Sequence, residues 1–191
     1  MEHHHGSRPP VSREVGQSPD EVFDVVDDHD RVIGREFRGE IHRRGLLHRA
    51  VHIFWLRPDG QLCLQRRSFA KDNCPGQLSS SCAGHVDAGE AYLTAAVREL
   101  GEELGVHVAP AELAEIDYAP QHEDLGREFV RSYLLRRPAE RCLPAAFEVD
   151  AVLLRTPVEL EAWAAEQPDL FCRPLLHLLV RPAVRRALGL R

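Results

Sequence analysis

The stretch from Gly84 to Val106, GHVDAGEAYLTAAVRELGEELGV, constrains this chain more than any other. From Glu90 to Leu104 it lacks proline and is dominated by alanine, leucine and glutamate, which favours a helix. Leu93, Val97, Leu100 and Leu104 recur at the spacing of one apolar helix face. Glu99, Glu102 and Glu103 stand at i, i+3 and i+4, so they share a second face. At ~100° per residue that face is turned well away from the apolar stripe. Three carboxylates this close repel one another and raise each other's pKa unless a cation sits among them. Hard oxygen ligands of this kind suit Mg²⁺, with Mn²⁺ as a substitute. Arg98 lies on neither face and can turn back toward Glu90. Gly84 and Gly89 supply a loop whose backbone can approach a ligand closely. Gly105 fits a helix C-cap. Gly101 sits mid-helix at a cost of ~1 kcal/mol against alanine, and nothing in the pattern explains it.

A single Glu-x-x-Glu-Glu is most often a solvated acidic face. Here nine specified positions hold together: Gly84, Glu90, Arg98, Glu99, Leu100, Glu102, Glu103, Gly105 and Val106. The whole pattern resembles the Nudix box without a departure. The resemblance implies an α/β fold, the Nudix α/β/α sandwich with a mixed β-sheet. It also implies Mg²⁺-dependent hydrolysis of a small-molecule diphosphate, nucleotide-like or otherwise linked to a group X. By the same resemblance Glu99, Glu102 and Glu103, with Gly84 beside them, match the metal site. Glu102 and Glu103 then take part in catalysis, while Arg98 and Glu90 are structural.

With 191 residues and a 43% hydrophobic share, the chain has enough for one ordinary domain. The expected division is a disordered segment at 1–20, whose opening MEHHHGS looks like a tag remnant, and a single Nudix domain at 21–191. A net charge of -6 argues against a nucleic-acid partner. No apolar run approaches the ~18 residues of a membrane span. Five cysteines, an odd number without a C-x-x-C pair, point to a reducing, cytoplasmic setting rather than a disulfide framework. Nothing in the sequence speaks to oligomeric state.

Along the chain, strands are expected at Val22 to Val26 and Arg31 to Phe37, as a hairpin. A loop or one helical turn follows at Gly39 to Leu47. His48 to Leu56 and Gln61 to Arg66 form a second hairpin around Pro58-Asp59-Gly60. Leu78 to Ala83 leads into the box. Further strands are expected at Leu113 to Tyr118, Glu128 to Leu135 and Phe147 to Leu154. Thr156-Pro157-Val158-Glu159 starts a helix with a capping box. A last helix runs from Arg173 to Leu188, interrupted near Pro182.

Residues 24 to 135 also resemble, more loosely, the isopentenyl-diphosphate isomerase branch of the family. That branch shares a hairpin, a histidine-bearing linker, a basic strand end, Pro-Gly, and Gly-His opening the box. The resemblance implies diphosphate contacts for Arg67, Lys71 and Arg38. It implies a histidine metal site matched by His48 and His85, with His42 matching if the linker is one residue shorter. Glu128 matches the downstream glutamate, whereas its partner acid is replaced by Gly126. Glu128 is independently a candidate general base, as many Nudix hydrolases place a glutamate after the box; Glu123 and Asp124 compete with it. Two departures separate isomerisation from hydrolysis: the branch tends to depart from R-E-apolar-x-E-E, which Arg98 to Glu103 keep whole, and its cysteine is displaced here. The branch's protonating cysteine directly precedes the box glycine, where this chain has Ala83. Cys82 lies one residue earlier, which on a strand turns it to the other face. The alternatives to hydrolysis are an isomerase-like enzyme and a ligand-sensing domain without catalysis.

Overall fold

The computed structural model describes residues 20–138 and 142–190; the expected disorder of the first residues lies almost wholly outside them. Strand β1 (Val22–Val26) and strand β2 (Val32–Phe37) pair antiparallel as a separate ribbon. Helix α1 (Arg38–Arg44) follows. The main sheet contains β3 (His48–Leu56), β4 (Leu62–Arg67), β5 (Leu78–Ser79), β6 (Cys82–His85), β7 (Leu113–His122), β8 (Glu128–Arg136) and β9 (Val149–Arg155). Helices α2 (Tyr92–Leu104), α3 (Pro157–Glu166), α4 (Arg173–Leu179) and α5 (Pro182–Leu188) complete the chain.

The sheet runs β5-β4-β3-β8-β7, with β6 also on β3 and β9 also on β4. β3 and β8 are parallel, while the other pairs are antiparallel, so the sheet is mixed. β3 is buried along almost its whole length, because both of its faces are covered. Val51, Ile53 and Trp55 pack with Ala95, Ala96, Leu100 and Leu104 of α2. Ala50, Phe54 and Leu56 pack with Leu160, Leu175, Leu178, Val184 and Leu188 of the C-terminal helices. Period-2 alternation thus divides one strand between two cores. Each fully buried leucine contributes about 1.5–3 kcal/mol through area removed from water.

The end of α2 explains the last two positions of the box. Gly105 is left-handed, with φ 65, and its N–H donates to the Gly101 carbonyl at 3.1 Å. The Val106 N–H donates to the Leu100 carbonyl at 3.0 Å, and Val106 itself is buried. A glycine in the left-handed region followed by an apolar residue is what this cap requires. At Gly101 an added Cβ would meet the His107 ring at 3.4–3.5 Å, an ordinary contact, so packing does not demand glycine there.

Several boundaries differ from expectation. The segment after β2 is a seven-residue helix rather than a loop or single turn, anchored by the fully buried Ile41. α2 starts at Tyr92, because Glu90 accepts from the Asp87 N–H at 3.1 Å and belongs to the preceding turn. β7 extends to His122, through β-bulges that sequence alternation hides. The strand expected from Phe147 begins at Val149. The expected last helix is two helices separated at Pro182, which opens α5 at its first position. The Thr156 capping box is present: the Thr156 hydroxyl accepts from the Glu159 N–H at 3.2 Å, and the Glu159 carboxylate accepts from the Thr156 N–H at 2.8 Å.

Candidate active site

A cavity of about 900 Å³ opens beside β3 and β6. Box residues Gly84, Arg98, Glu99, Glu102 and Glu103 form one wall. His42, His85 and Glu128 form another, and Arg67 and Lys71 approach from β4 and the loop after it.

Arg98 organises the acidic wall. It donates to both oxygens of Glu90 at 3.1 and 2.9 Å, and to the His85 carbonyl at 2.9 Å. Its remaining reach goes to Glu99 at 2.8 Å and Glu102 at 3.0 Å. This is the turn back toward Glu90 expected from the sequence, and it ties the helix to the box loop. Asp24 of the β1–β2 ribbon fixes the same loop by accepting from the Gly89 N–H at 2.8 Å. Gly84 has a steric reason: a Cβ there would lie 2.0 Å from the Glu99 carboxyl carbon. Glu103 is 2% exposed. It accepts from Gln65 Nε2 and the Ala83 N–H, both at 3.2 Å, and lies 3.9 Å from Lys71 Nζ. Burial, then the Glu103 charge, raise the Glu99 carboxyl to about 8 against the pull of Arg98. Glu99, Glu102 and Glu103 line the cavity beside Gly84, and as hard oxygen donors they suit a divalent cation by chemistry, although their oxygens are drawn to Arg98, Gln65 and the Ala83 N–H and are not gathered at one point.

The histidine wall draws on more distant parts of the chain. His42 comes from α1, His48 from β3, His85 from β6 and Glu128 from β8. The parallel pairing of β3 with β8 sets His48 opposite Glu128. The three ring centroids lie 5.2 Å from one another, and one nitrogen of each falls within 4.8 Å of the others. Phe23 stacks on His85 at 4.7 Å and closes the cluster. Glu128 Oε1 is 3.2 Å from His85 Nε2 and 3.4 Å from His48 Nε2. His48 Nδ1 lies 3.0 Å from the Leu46 carbonyl. A carbonyl only accepts, so Nδ1 carries the proton and Nε2 of the neutral ring is a lone pair. That lone pair and His42 Nε2 are buried without a hydrogen-bond partner. Orphaned nitrogens facing one carboxylate fit a cation of the kind imidazole prefers. Burial, then the neighbouring His85 and His48, lower His42 to about 4. Burial pushes the Glu128 carboxyl up, but the neighbouring His48 and His85 outweigh it and hold Glu128 well below the usual range.

The expected diphosphate contacts divide. Arg67 lines the cavity and donates from Nε to the Asn73 carbonyl at 3.1 Å. Lys71 lines it too, buried between Glu103 and Glu148, and burial lowers its ammonium pKa. Arg38 is buried outside the cavity wall and its guanidinium donates to Asp72 at 3.2 Å. Of the competing acids, Asp124 and Glu128 line the cavity and Glu123 does not. Ala83 faces the cavity, whereas Cys82 is fully buried in the core beneath α2. Burial, then Glu103 and Glu99, push its thiol well up. Sequence reasoning passed over Glu148, His52 and Arg173, which also line the cavity. None belongs to a local pattern; they arrive from the middle of β3, the turn before β9 and the start of a distant helix.

A family model described as the NUDIX domain matches residues 46–171. The chain belongs to the Nudix family. An uncharacterised Nudix hydrolase of Clostridium acetobutylicum is 35% identical over 128 residues, covering 63% of this chain and 62% of that protein. An isopentenyl-diphosphate Delta-isomerase of Streptomyces avermitilis is 34% identical over 179 residues, covering 88% of this chain and 87% of that protein. Matches to three further curated relatives span 49–55% of their length. Among solved structures, a Deinococcus radiodurans protein superposes with a TM-score of 0.67 at 30% identity, covering 76% of this chain and 90% of that one. The family, the mixed-sheet α/β fold and the likeness to the isomerase branch thus agree with the resemblance drawn from the box. Among the described residues no helix is long and apolar enough to cross a membrane.

Proposed function

We propose that this chain is a Mg²⁺-dependent hydrolase of small-molecule diphosphates, with Mn²⁺ as a substitute. The observation that carries the reading is the shared cavity: the acidic wall of Glu99, Glu102 and Glu103 faces the same space as Arg67 and Lys71. A bound divalent ion supplies an acidified water and offsets phosphate charge. The chain's own groups do the rest. Arg67 and Lys71 orient the diphosphate by charge-assisted hydrogen bonds. Arg98 holds Glu99 and Glu102 in place, and Gln65 and the Ala83 N–H do so for Glu103. Glu128, an ionised carboxylate on the cavity wall, is the favoured acceptor for the proton of the attacking water. The histidine cluster is a second metal site in the same proposal, with His48, His85 and His42 as ligands. A cytoplasmic setting and a small-molecule partner belong to it as well.

The isomerase reading has its own support in the histidine cluster and the Streptomyces relative. It needs a proton-donating thiol directly before the box glycine, and that position is Ala83; the cysteines that do line the cavity, Cys74 and Cys172, come from the loop after β4 and from the residue before α4. Metal-dependent phosphate release from a panel of nucleoside di- and triphosphates, nucleotide sugars, dinucleotides and isoprenoid diphosphates tests the proposal. Release from at least one of them supports hydrolysis. Proton exchange into isopentenyl diphosphate without any phosphate release overturns it.

A further inference from the structure

His52 on β3 is 4% exposed, yet it forms part of the cavity wall. Its Nδ1 lies 2.8 Å from the hydroxyl of Ser80, which is fully buried. That hydroxyl donates to the Cys82 carbonyl at 3.0 Å. A serine hydroxyl has a single hydrogen to give, so toward His52 it is an acceptor and Nδ1 must be the donor. Burial favours the neutral ring and lowers His52 to about 4. A neutral imidazole carries one N–H, so Nε2 is left as a bare acceptor. No other hydrogen-bond partner of His52 exists among the described residues.

This acceptor is unusual in its surroundings. Arg67, Lys71 and Arg98 are donors for phosphate oxygens. The carboxylates and His48 Nε2 suit cations. An ionised diphosphate has no hydrogen to offer Nε2, and a hydrocarbon chain has none either. An acceptor that a bound ligand covers and leaves unpaired costs about 1–3 kcal/mol, so the site discriminates against such a substrate.

We propose that His52 Nε2 recognises an O–H or N–H donor on the group X of the substrate, and that Ser80 is a positioning residue that fixes the required tautomer. The inference rests on reading the cavity as a diphosphate site. It narrows the substrate to diphosphates with a polar, hydroxyl- or amino-bearing X, such as a nucleoside or sugar, over isoprenoid diphosphates.

The test has two readouts. Long-range ¹H–¹⁵N spectra of ¹⁵N-histidine protein, assigned by His52→Phe, should show His52 with a protonated Nδ1 and a bare Nε2 at pH 7. Ser80→Ala should move the proton toward Nε2, while Ser80→Thr keeps it on Nδ1. Binding is then measured with ADP and with methyl diphosphate, both with Mg²⁺. ADP should shift the His52 Nε2 resonance and methyl diphosphate should not. His52→Phe, or Ser80→Ala if the first variant fails to fold, should weaken ADP about tenfold and methyl diphosphate less than twofold. A wild-type Nε2–H tautomer, a failure of ADP to bind, or equal weakening of both probes overturns the inference. If the tautomer and the ADP discrimination hold but no diphosphate is cleaved, it is the hydrolase reading that fails.

Discussion

The acidic wall and the histidine wall of the cavity are built in opposite ways. The acidic wall comes from one helix and its leading loop, within a span of 20 residues from Gly84 to Glu103. The histidine wall needs α1, β3, β6 and β8, from His42 to Glu128. The acidic wall concentrates like charge, and burial raises Glu99 to about 8. The histidine wall sets imidazole rings around one carboxylate, and Glu128 is held low. On the acidic wall Arg98 and Lys71 offset the repulsion only in part; on the histidine wall Glu128 already faces two imidazoles, and two ring nitrogens are orphaned. The comparison teaches that a cation does more electrostatic service on the acidic wall. That wall should govern turnover, and the histidine wall should govern metal retention.

The largest expected effect follows from the acidic wall. Glu103→Gln keeps the shape and the Ala83 N–H contact but removes charge that a divalent ion needs. Turnover should fall at least ~100-fold, about 2.7 kcal/mol in the barrier, with the fold retained. Glu102→Gln, more exposed, should behave alike. Phosphate release and a melting curve read both quantities. Near wild-type turnover at saturating Mg²⁺ would remove the acidic wall from the chemistry.

The histidine wall gives the next effect. Purified protein should keep a transition ion through dialysis, and His85→Ala should lose at least ~10-fold in affinity for it. Metal analysis with zinc and manganese titration checks this. Protein that neither carries nor takes up either ion would leave these residues as packed histidines, and the contrast between the walls would collapse to one functional wall.

The same contrast explains what was legible in the sequence. Helix periodicity carries Glu99, Glu102 and Glu103 onto one face, so local spacing sufficed for the acidic wall. Arg98 reaching Glu90 was legible for the same reason. His48 and Glu128 meet only through the parallel register of β3 with β8, which no local pattern encodes; family resemblance alone brought them together. Arg38 looked like a phosphate contact by position, and the fold turns it to Asp72 instead. Lys71 and Glu148 join across 76 intervening positions in the chain, and only the β4–β9 pairing brings their segments close. Strand boundaries failed at bulges, as at β7, where an irregular register breaks the alternation.

A smaller effect sharpens the electrostatic half of the comparison. The Glu99 carboxyl stands at about 8 in the fold against an ordinary 4.5. Between those values the native state holds more protons than the unfolded state. Stability therefore falls as pH rises through that window. Metal-free protein should lose on the order of 1–2 kcal/mol from pH 5 to 8 by this route, and Mg²⁺ should restore it. Glu99→Gln should flatten the pH dependence and raise metal-free stability at pH 8. Denaturant titrations with and without Mg²⁺ measure it. A Glu99→Gln protein with the wild-type pH slope would place the repulsion elsewhere.

The smallest expected effect decides between the two chemistries. Hydrolysis needs no thiol, because the nucleophile is water. Isomerisation needs a proton donor on the cavity side of β6, and there the chain offers Ala83, with Cys82 turned into the core against α2. A thiol whose pKa is pushed up by burial and by two carboxylates keeps its proton and stays out of reach of a bound ligand. Cys82→Ala should therefore hydrolyse substrate within a few-fold of wild type. It should lose ~1 kcal/mol or somewhat more of stability, from the sulfur volume removed from a close-packed site. Isopentenyl diphosphate incubated with wild type in deuterated water should gain no deuterium. Deuterium uptake by wild type that vanishes in Cys82→Ala would place the reacting group on the core side of β6 and transfer the protein from hydrolysis to isomerisation.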